Sequence, residues 1–324
     1  MGAFFFFRLF NKCVFFHYLN DGLEKKSLFL QKICPMRKEY EVAGHRFAVV
    51  MPDNEVAWNS MGSYKPFEVE GVSDCIFTAE LIEAMPDITE KKRVTVSCAG
   101  SDMARIELYE YKDEWLMAMA PTMNAPVRAY LLTDKSFKNA RFRMLGSVWF
   151  SLNTVMMLMF AFATARKNTL LMHASVTVKD GKGYLFLGKS GTGKSTHSQL
   201  WINNIEGCEL LNDDNPVLRV GDDGVVRVYG SPWSGKTPCY RNLNVPVGAI
   251  VSLQQAKVNK IHRQSMPESY ASVYVSFSGY RFIKEMAEGL HITNAMVVST
   301  VPCYLLDCLP NAEAAFLCYQ TVSK

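Results

Sequence analysis

The sequence predicts an α/β protein: a mixed sheet with β-hairpins over residues 141–324, preceded by a small β-rich module over residues 36–140. Three observations predict it. Short strand signals crowd residues 36–120, a glycine-rich loop at 188–195 stands between a strand-like and a helix-like run, and hairpin turn signals flank that loop on both sides. At 324 residues, 49% hydrophobic and 20% charged, the chain carries ample apolar material for a packed core and enough length for two domains.

Residues 1–35 hold Phe4-Phe5-Phe6-Phe7 and Phe15-Phe16, broken by Arg8, Asn11, Lys12 and His17. No basic segment precedes the apolar run and no small-residue cleavage site follows it, so it does not read as a signal peptide. The regular pattern begins just after Met36, and residues 1–35 read as an extension ahead of a translation start there. Residues 37–42 and 46–51 flank Ala43-Gly44-His45 as a hairpin. Strands are expected at 74–80, 93–98, 104–111 and 114–120, with turns at Ala99-Gly100-Ser101-Asp102 and Lys112-Asp113. Residues 121–126 form a connector between Pro121 and Pro126, and the pattern over 136–165 turns helical, which puts a domain boundary near 140. The apolar stretch 144–165 approaches the length of a membrane span but carries Ser147, Ser151, Asn153, Thr154 and Thr164. A buried helix over 146–163, packed between the domains, is the expectation. No internal repeat or low-complexity tract is visible.

Gly188-Lys189-Ser190-Gly191-Thr192-Gly193-Lys194-Ser195 completes the pattern G-x-x-x-x-G-K-[ST]. Its glycines let backbone N–H groups turn toward a phosphate, Lys194 neutralises the outer phosphates, and the Ser195 hydroxyl can ligand Mg²⁺. The strand before it, 183–187, is the second arm of a hairpin that starts at 170–178 and turns at Lys179-Asp180-Gly181-Lys182. Residues 195–201 open a helix. Farther on, Cys208-Glu209-Leu210-Leu211 ends in Asn212-Asp213-Asp214, with Asp213 nineteen residues beyond Lys194. Paired acids at a strand end suit a metal–phosphate site, one carboxylate for the metal and the other to take a proton from an attacking hydroxyl. Another hairpin follows at once over 216–220 and 225–229; its turn acids Asp222 and Asp223 are explained by turn chemistry.

The balance of charge excludes some partners. With 35 basic and 31 acidic residues interspersed along the chain, there is no nucleic-acid footprint. Nine cysteines without a C-x-x-C pair read as buried reduced thiols in a cytoplasmic protein. The segment Asn259-Lys260-Ile261-His262 lacks the aspartate of a guanine-reading motif, so GTP specificity has no support.

Taken together, His173-Ala174-Ser175, the 188–195 loop, Asp213-Asp214, Gly230-Ser231-Pro232-Trp233 and a strand over 247–253 make residues 168–324 similar to the catalytic domain of bacterial HPr kinase/phosphorylase and its relatives. That domain is itself similar to the nucleotide-binding core of phosphoenolpyruvate carboxykinase. The resemblance implies a P-loop kinase core binding ATP and Mg²⁺, commonly in homo-oligomers. Gly188, Ser190, Gly191, Thr192, Gly193, Lys194, Ser195 and Thr196 would then hold the nucleotide, and Ser195 and Asp213 the metal. Asp213, Asp214 and Lys194 would be catalytic, with Asp214 as general base. His173 matches a histidine of that strand, either a phosphate contact or a structural residue. In the segment 231–244, Trp233, Lys236, Tyr240 and Arg241 form either a substrate clamp, with Trp233 stacking on a ring, or a solvated loop with an anchoring tryptophan. Thr196 stands where HPr kinase typically has Glu, and the glycine-rich segment that follows its acid pair is absent, so the resemblance does not extend to HPr as substrate. The implied activity is ATP-dependent phosphotransfer to a serine-type hydroxyl on a protein or small molecule, with no membrane or nucleic-acid partner. The alternatives are a catalytically silent ATP-binding accessory module, as in peptide modification, and a carboxykinase-like enzyme acting on a small organic acid.

Overall fold

A computed structural model describes residues 35–97, 104–145, 148–235, 237–281 and 283–324. The expected extension over 1–35 up to residue 34, the turn at 99–102 and Lys236 lie outside these residues.

The first half is built on β1 (Pro35–Val42) and β2 (His45–Pro52), paired through the two-residue turn Ala43-Gly44. Both turn residues have positive φ, 52° and 70°, the backbone twist that joins antiparallel strands without splaying them. There follow α1 (Glu55–Asn59), capped by the Asn54 side chain, a 3₁₀ turn over Gly62–Phe67, β3 (Glu68–Val69), β4 (Thr78–Leu81) and β5 (Lys92–Ser97). A meander of β6 (Arg105–Tyr111), β7 (Glu114–Ala120), β8 (Ala129–Asp134) and β9 (Asn139–Met144) completes a mixed sheet of order β3-β1-β2-β4-β9-β8-β7-β6-β5. The helical pattern expected from residue 136 is corrected here. Ala140 and Phe142 alternate into the core from a strand, and helix begins only at α2 (Val148–Thr164).

In the second half come β10 (Thr169–Leu171), β11 (Ala174–Lys179), β12 (Lys182–Leu187), α3 (Lys194–Asn204), β13 (Glu209–Asp214), β14 (Val217–Val220) and β15 (Val226–Tyr229). They are followed by β16 (Asn244–Gln255), β17 (Lys260–Arg263), α4 (Met266–Tyr274), α5 (Lys284–Thr300), β18 (Cys303–Cys308) and α6 (Ala312–Val322). This sheet is also mixed, in the order β10-β14-β15-β16-β12-β11-β13, with β18 joining β16 and β17 joining β18. Only β12–β16 and β16–β18 pair in parallel; every other pair is antiparallel.

One apolar core runs from the first sheet through α2 into the second. Every residue of α2 from 152 to 162 is at most 3% exposed, which explains why its sequence is apolar on all sides. Its polar residues are satisfied inside: Asn153 accepts from Tyr64 Oη at 2.9 Å and Thr164 Oγ1 donates to Phe160 O at 2.6 Å. A second core lies under α3 and α6, where Trp201 meets Tyr184, Phe186 and Tyr319. Among the described residues no helix is long and apolar enough to cross a membrane, and the six cysteines there are free thiols.

Candidate functional site

The loop between β12 and α3 has the backbone its glycines predict. Gly188, Gly191 and Gly193 all have positive φ, at 155°, 81° and 109°, where a side chain would be strained. Space around Gly191 and Gly193 is open, whereas a Cβ on Gly188 would sit 3.2 Å from Thr192. Gly193 is the residue before the helix and uses no side-chain cap, so the first N–H groups of α3 face the loop. The helix is fixed to the sheet by the buried pair Ser198 Oγ and Ser175 Oγ, 2.6 Å apart. His197 lies beneath it against Phe186 and accepts from Trp201 Nε1 at 3.1 Å; burial lowers its pKa to about 4.

The lysine, histidine and acid expected from the sequence converge. Lys194 is 9% exposed, and its Nζ donates to Gly188 O at 3.1 Å and to His173 Nε2 at 3.0 Å. An ammonium carries donors only, so His173 Nε2 is the acceptor and the ring proton sits on Nδ1. Nδ1 lies 3.0 Å from Asp214 Oδ1, at an angle that falls short of a hydrogen bond. The expected strand over 170–178 is broken to allow this: β10 ends at Leu171, β11 starts at Ala174, and His173 donates its backbone N–H to Ser276 O between them.

Asp213 and Asp214 end β13, beside β11 and two positions from β12. Asp214 has φ 130°, which only glycine adopts readily, and its Oδ2 accepts from Asn215 Nδ2 at 2.9 Å. Asp213 is 3% exposed, and its Oδ2 is buried without a hydrogen-bond partner. Behind them stands a residue that the sequence reading passed over. Asn212 is fully buried; its Nδ2 reaches Ser231 Oγ at 3.2 Å and Trp233 O at 3.4 Å, while its Oδ1 accepts from Asn215 N at 3.0 Å. It clamps the 230–235 segment against the acid strand, where Gly235 N donates to Asp213 O. A Cβ at Gly235 would lie 3.0 Å from both Asp213 O and Asp214 Cβ. Asn212 sits next to the acids in sequence, yet nothing local marks it as their support.

Of the two alternatives for the 231–244 segment, Trp233 and Arg241 follow the anchoring one, each engaged within the protein. Trp233 is 2% exposed and its indole N–H is donated to Tyr64 Oη at 2.8 Å, so this ring anchors the segment and is not open to stack on a ligand. Arg241 pairs with Glu209 Oε2 at 2.9 Å and donates to Leu210 O at 2.8 Å. It therefore serves the start of β13, four residues and roughly 13 Å of strand from Asp214. Tyr240 packs half-buried against the main core. Ser190 and Thr192 are half-exposed, and Ser195 and Thr196 are exposed on the loop side of α3. Among the described residues no group of three or more His, Cys, Asp and Glu forms a metal cage. Asp213, with its orphaned buried oxygen, and the exposed Ser195 hydroxyl nonetheless suit a Mg²⁺ that keeps most of its water and phosphate ligands.

No protein-family profile matches the chain, and no curated protein matches it. Among solved structures it is similar to the Hpr(Ser) kinase/phosphatase from Coxiella burnetii, at 15% identity over 48% of this chain and 88% of that one, with a TM-score of 0.30. At that score the likeness carries no conclusion about activity.

Proposed function

We propose that the chain is an ATP- and Mg²⁺-dependent phosphotransferase acting on a serine-type hydroxyl. The observation that carries this reading is the Lys194–His173–Asp214 chain: 3.0 Å from Nζ to Nε2 and 3.0 Å from Nδ1 to Oδ1, linking the glycine-rich loop to the acid pair. Backbone N–H groups of the loop and of the start of α3 bind the phosphates, and Lys194 neutralises the transferring group. Ser195 and Asp213 would hold Mg²⁺, which when bound supplies further charge neutralisation. Asp214 takes the proton of the acceptor hydroxyl as its oxygen bonds to the γ-phosphorus and the bridging bond to the β-phosphate breaks. His173 Nδ1 lies 3.0 Å from that carboxylate. The φ of 130° at Asp214 supports the assignment, because backbone strain of about 1–3 kcal/mol at a non-glycine residue recurs where a side chain must be aimed.

Incubation with γ-labelled ATP, Mg²⁺ and a panel of hydroxyl acceptors tests the proposal. Label transfer is expected from the wild-type protein. Lys194→Ala and Asp214→Asn should each lose it by about 10²-fold or more, the first with weaker nucleotide binding and the second without. Nucleotide binding with no transfer to any acceptor would replace the kinase with a silent ATP-binding module.

A further inference from the structure

The segment that follows Trp233 runs along the outer edge of β13, the last strand of its sheet, and carries hydroxyls beside the acid pair. Ser234 pairs with Asp214 in an isolated antiparallel bridge, Gly235 N donates to Asp213 O, and farther down Cys239 Sγ reaches Leu211 O at 3.3 Å. Three steps along β13, from 214 to 211, are thus matched by five along the segment, from 234 to 239, so the chain between bows outward with Thr237 near its crest. We propose that Thr237 is phosphorylated by the chain that carries it; the inference rests on the phosphotransfer reading given above.

The bow is tied to both acids. Ser234 Oγ sits 3.1 Å from Asp213 O and 2.6 Å from Thr237 O, so one hydroxyl links the Thr237 backbone to that of Asp213. Gly235 lies so close to Asp214 that a Cβ there would come within 3.0 Å of Asp214 Cβ and 3.4 Å of its Cγ. Being glycine, it puts no side chain between that carboxylate and the bow, and Thr237 follows two residues on, at most about 7 Å of chain. The Thr237 hydroxyl is also the available one on this segment. Ser231 is fully buried with its Oγ 2.6 Å from Asn215 O, and Ser234 is 4% exposed and bonded as above. Thr237 is exposed, and among the described residues no hydrogen bond holds its hydroxyl. The chemistry is that of a separate acceptor brought within the chain. Thr237 Oγ1 forms its bond to the γ-phosphorus of ATP as the bridging bond to the β-phosphate breaks; the hydroxyl proton passes to the Asp214 carboxylate and ADP departs. Nucleophile and base share one polypeptide and adjoining backbone, so the step gains from proximity and needs no second copy of the protein.

Incubation with Mg²⁺ and γ-labelled ATP in the absence of any acceptor, followed by peptide mapping in a mass spectrometer, tests this. Phosphate is expected on Thr237, at a fractional rate that does not change as the protein is diluted. Thr237→Val should remove that self-label and still transfer to an added acceptor at the wild-type rate, whereas Asp214→Asn should lose both by about 10²-fold. Transfer to an added acceptor with Thr237 unmodified, or modification that slows on dilution, would overturn the self-directed site and keep the phosphotransferase. No phosphate on any hydroxyl, with or without an acceptor, would overturn both. A second measurement needs no turnover of ATP. Fe²⁺ put in place of Mg²⁺ and treated with ascorbate and peroxide cuts the backbone only close to the metal, so cuts are expected at Thr237 as well as at Asp213 and Asp214. Cuts at the acids without one at Thr237, or no cuts at all, would count against the site.

Discussion

His197 and His45 are held neutral by burial, which lowers their pKa values to about 4 and about 3; for His45, Arg219 and Lys167 add to the effect. Each ring has a satisfied nitrogen, His197 Nε2 with Trp201 and His45 Nε2 with Thr169 Oγ1 at 2.8 Å. Below the unfolded value near 6.5 the unfolded chain binds protons that the native chain refuses. Their stabilisation is therefore fully present above pH 6.5 and is lost as the pH falls toward 4 and then 3, on the order of 3 kcal/mol for His197. Thermal melts should show the unfolding midpoint dropping between about pH 7 and about pH 4.5, and His197→Gln should flatten that slope. An unchanged slope would mean the ring is already solvated. At this scale the sequence was legible where chemistry is contiguous. The residues Gly188 to Ser195 announce their backbone, because a turn needing repeated positive φ is made most readily by glycine. Between the two readings of Trp233, clamp or anchor, the sequence could not choose, because the partner is remote: Tyr64 lies 169 residues away, and no local pattern marks such a bond.

Among the elements, α5 shows how packing reverses a local preference. Alanine normally stabilises a helix interior over glycine by about 1 kcal/mol. At Gly289 a Cβ would lie 2.3 Å from Ala165 O and 2.9 Å from the Arg166 side chain, just past the end of α2. Gly289→Ala should therefore destabilise, by about 1–3 kcal/mol, as α5 is pushed off α2. A lower urea midpoint with an unchanged m-value is the expected result; a higher midpoint would show that the two helices part easily. The hairpins β1–β2 and β11–β12 were legible from Ala43-Gly44 and Asp180-Gly181, whose positive φ values follow from turn chemistry. The strand β9 was not, because Asn139–Met144 is too short and mixed for its period to be separated from the helix that follows. Nor was the break at His173, since an apolar run carries no sign of where it changes partner from β14 to β12.

Across the whole molecule, the first sheet and the acid strand are joined by a hydrogen-bonded chain. Tyr64 Oη donates to Asn153 Oδ1 at 2.9 Å and accepts from Trp233 Nε1 at 2.8 Å, and the segment carrying Trp233 is held by Asn212 next to the acids. Other contacts run in parallel, Arg219 to Ala43 O at 2.7 Å and Asn242 to Pro66 O at 3.1 Å. Tyr64→Phe would strand a buried indole N–H and a buried amide oxygen, which should lower stability by on the order of 2 kcal/mol in urea unfolding. Trp233→Phe removes that donor, so the double variant should lose less than the sum of the two single losses. Strict additivity would show that the chain is not a coupled unit.

Read alone, the sequence determined the mixed α/β class, the strand–loop–helix around the glycine-rich run, and the acid pair downstream, because each rests on neighbouring residues and on backbone states that few side chains permit. Tertiary structure alone decided that Lys194, His173 and Asp214 meet, that Trp233 is a strut, and that the segment after it bows out beside the acids. Those facts depend on which strands lie side by side, and strand order is set by burial summed over the whole chain.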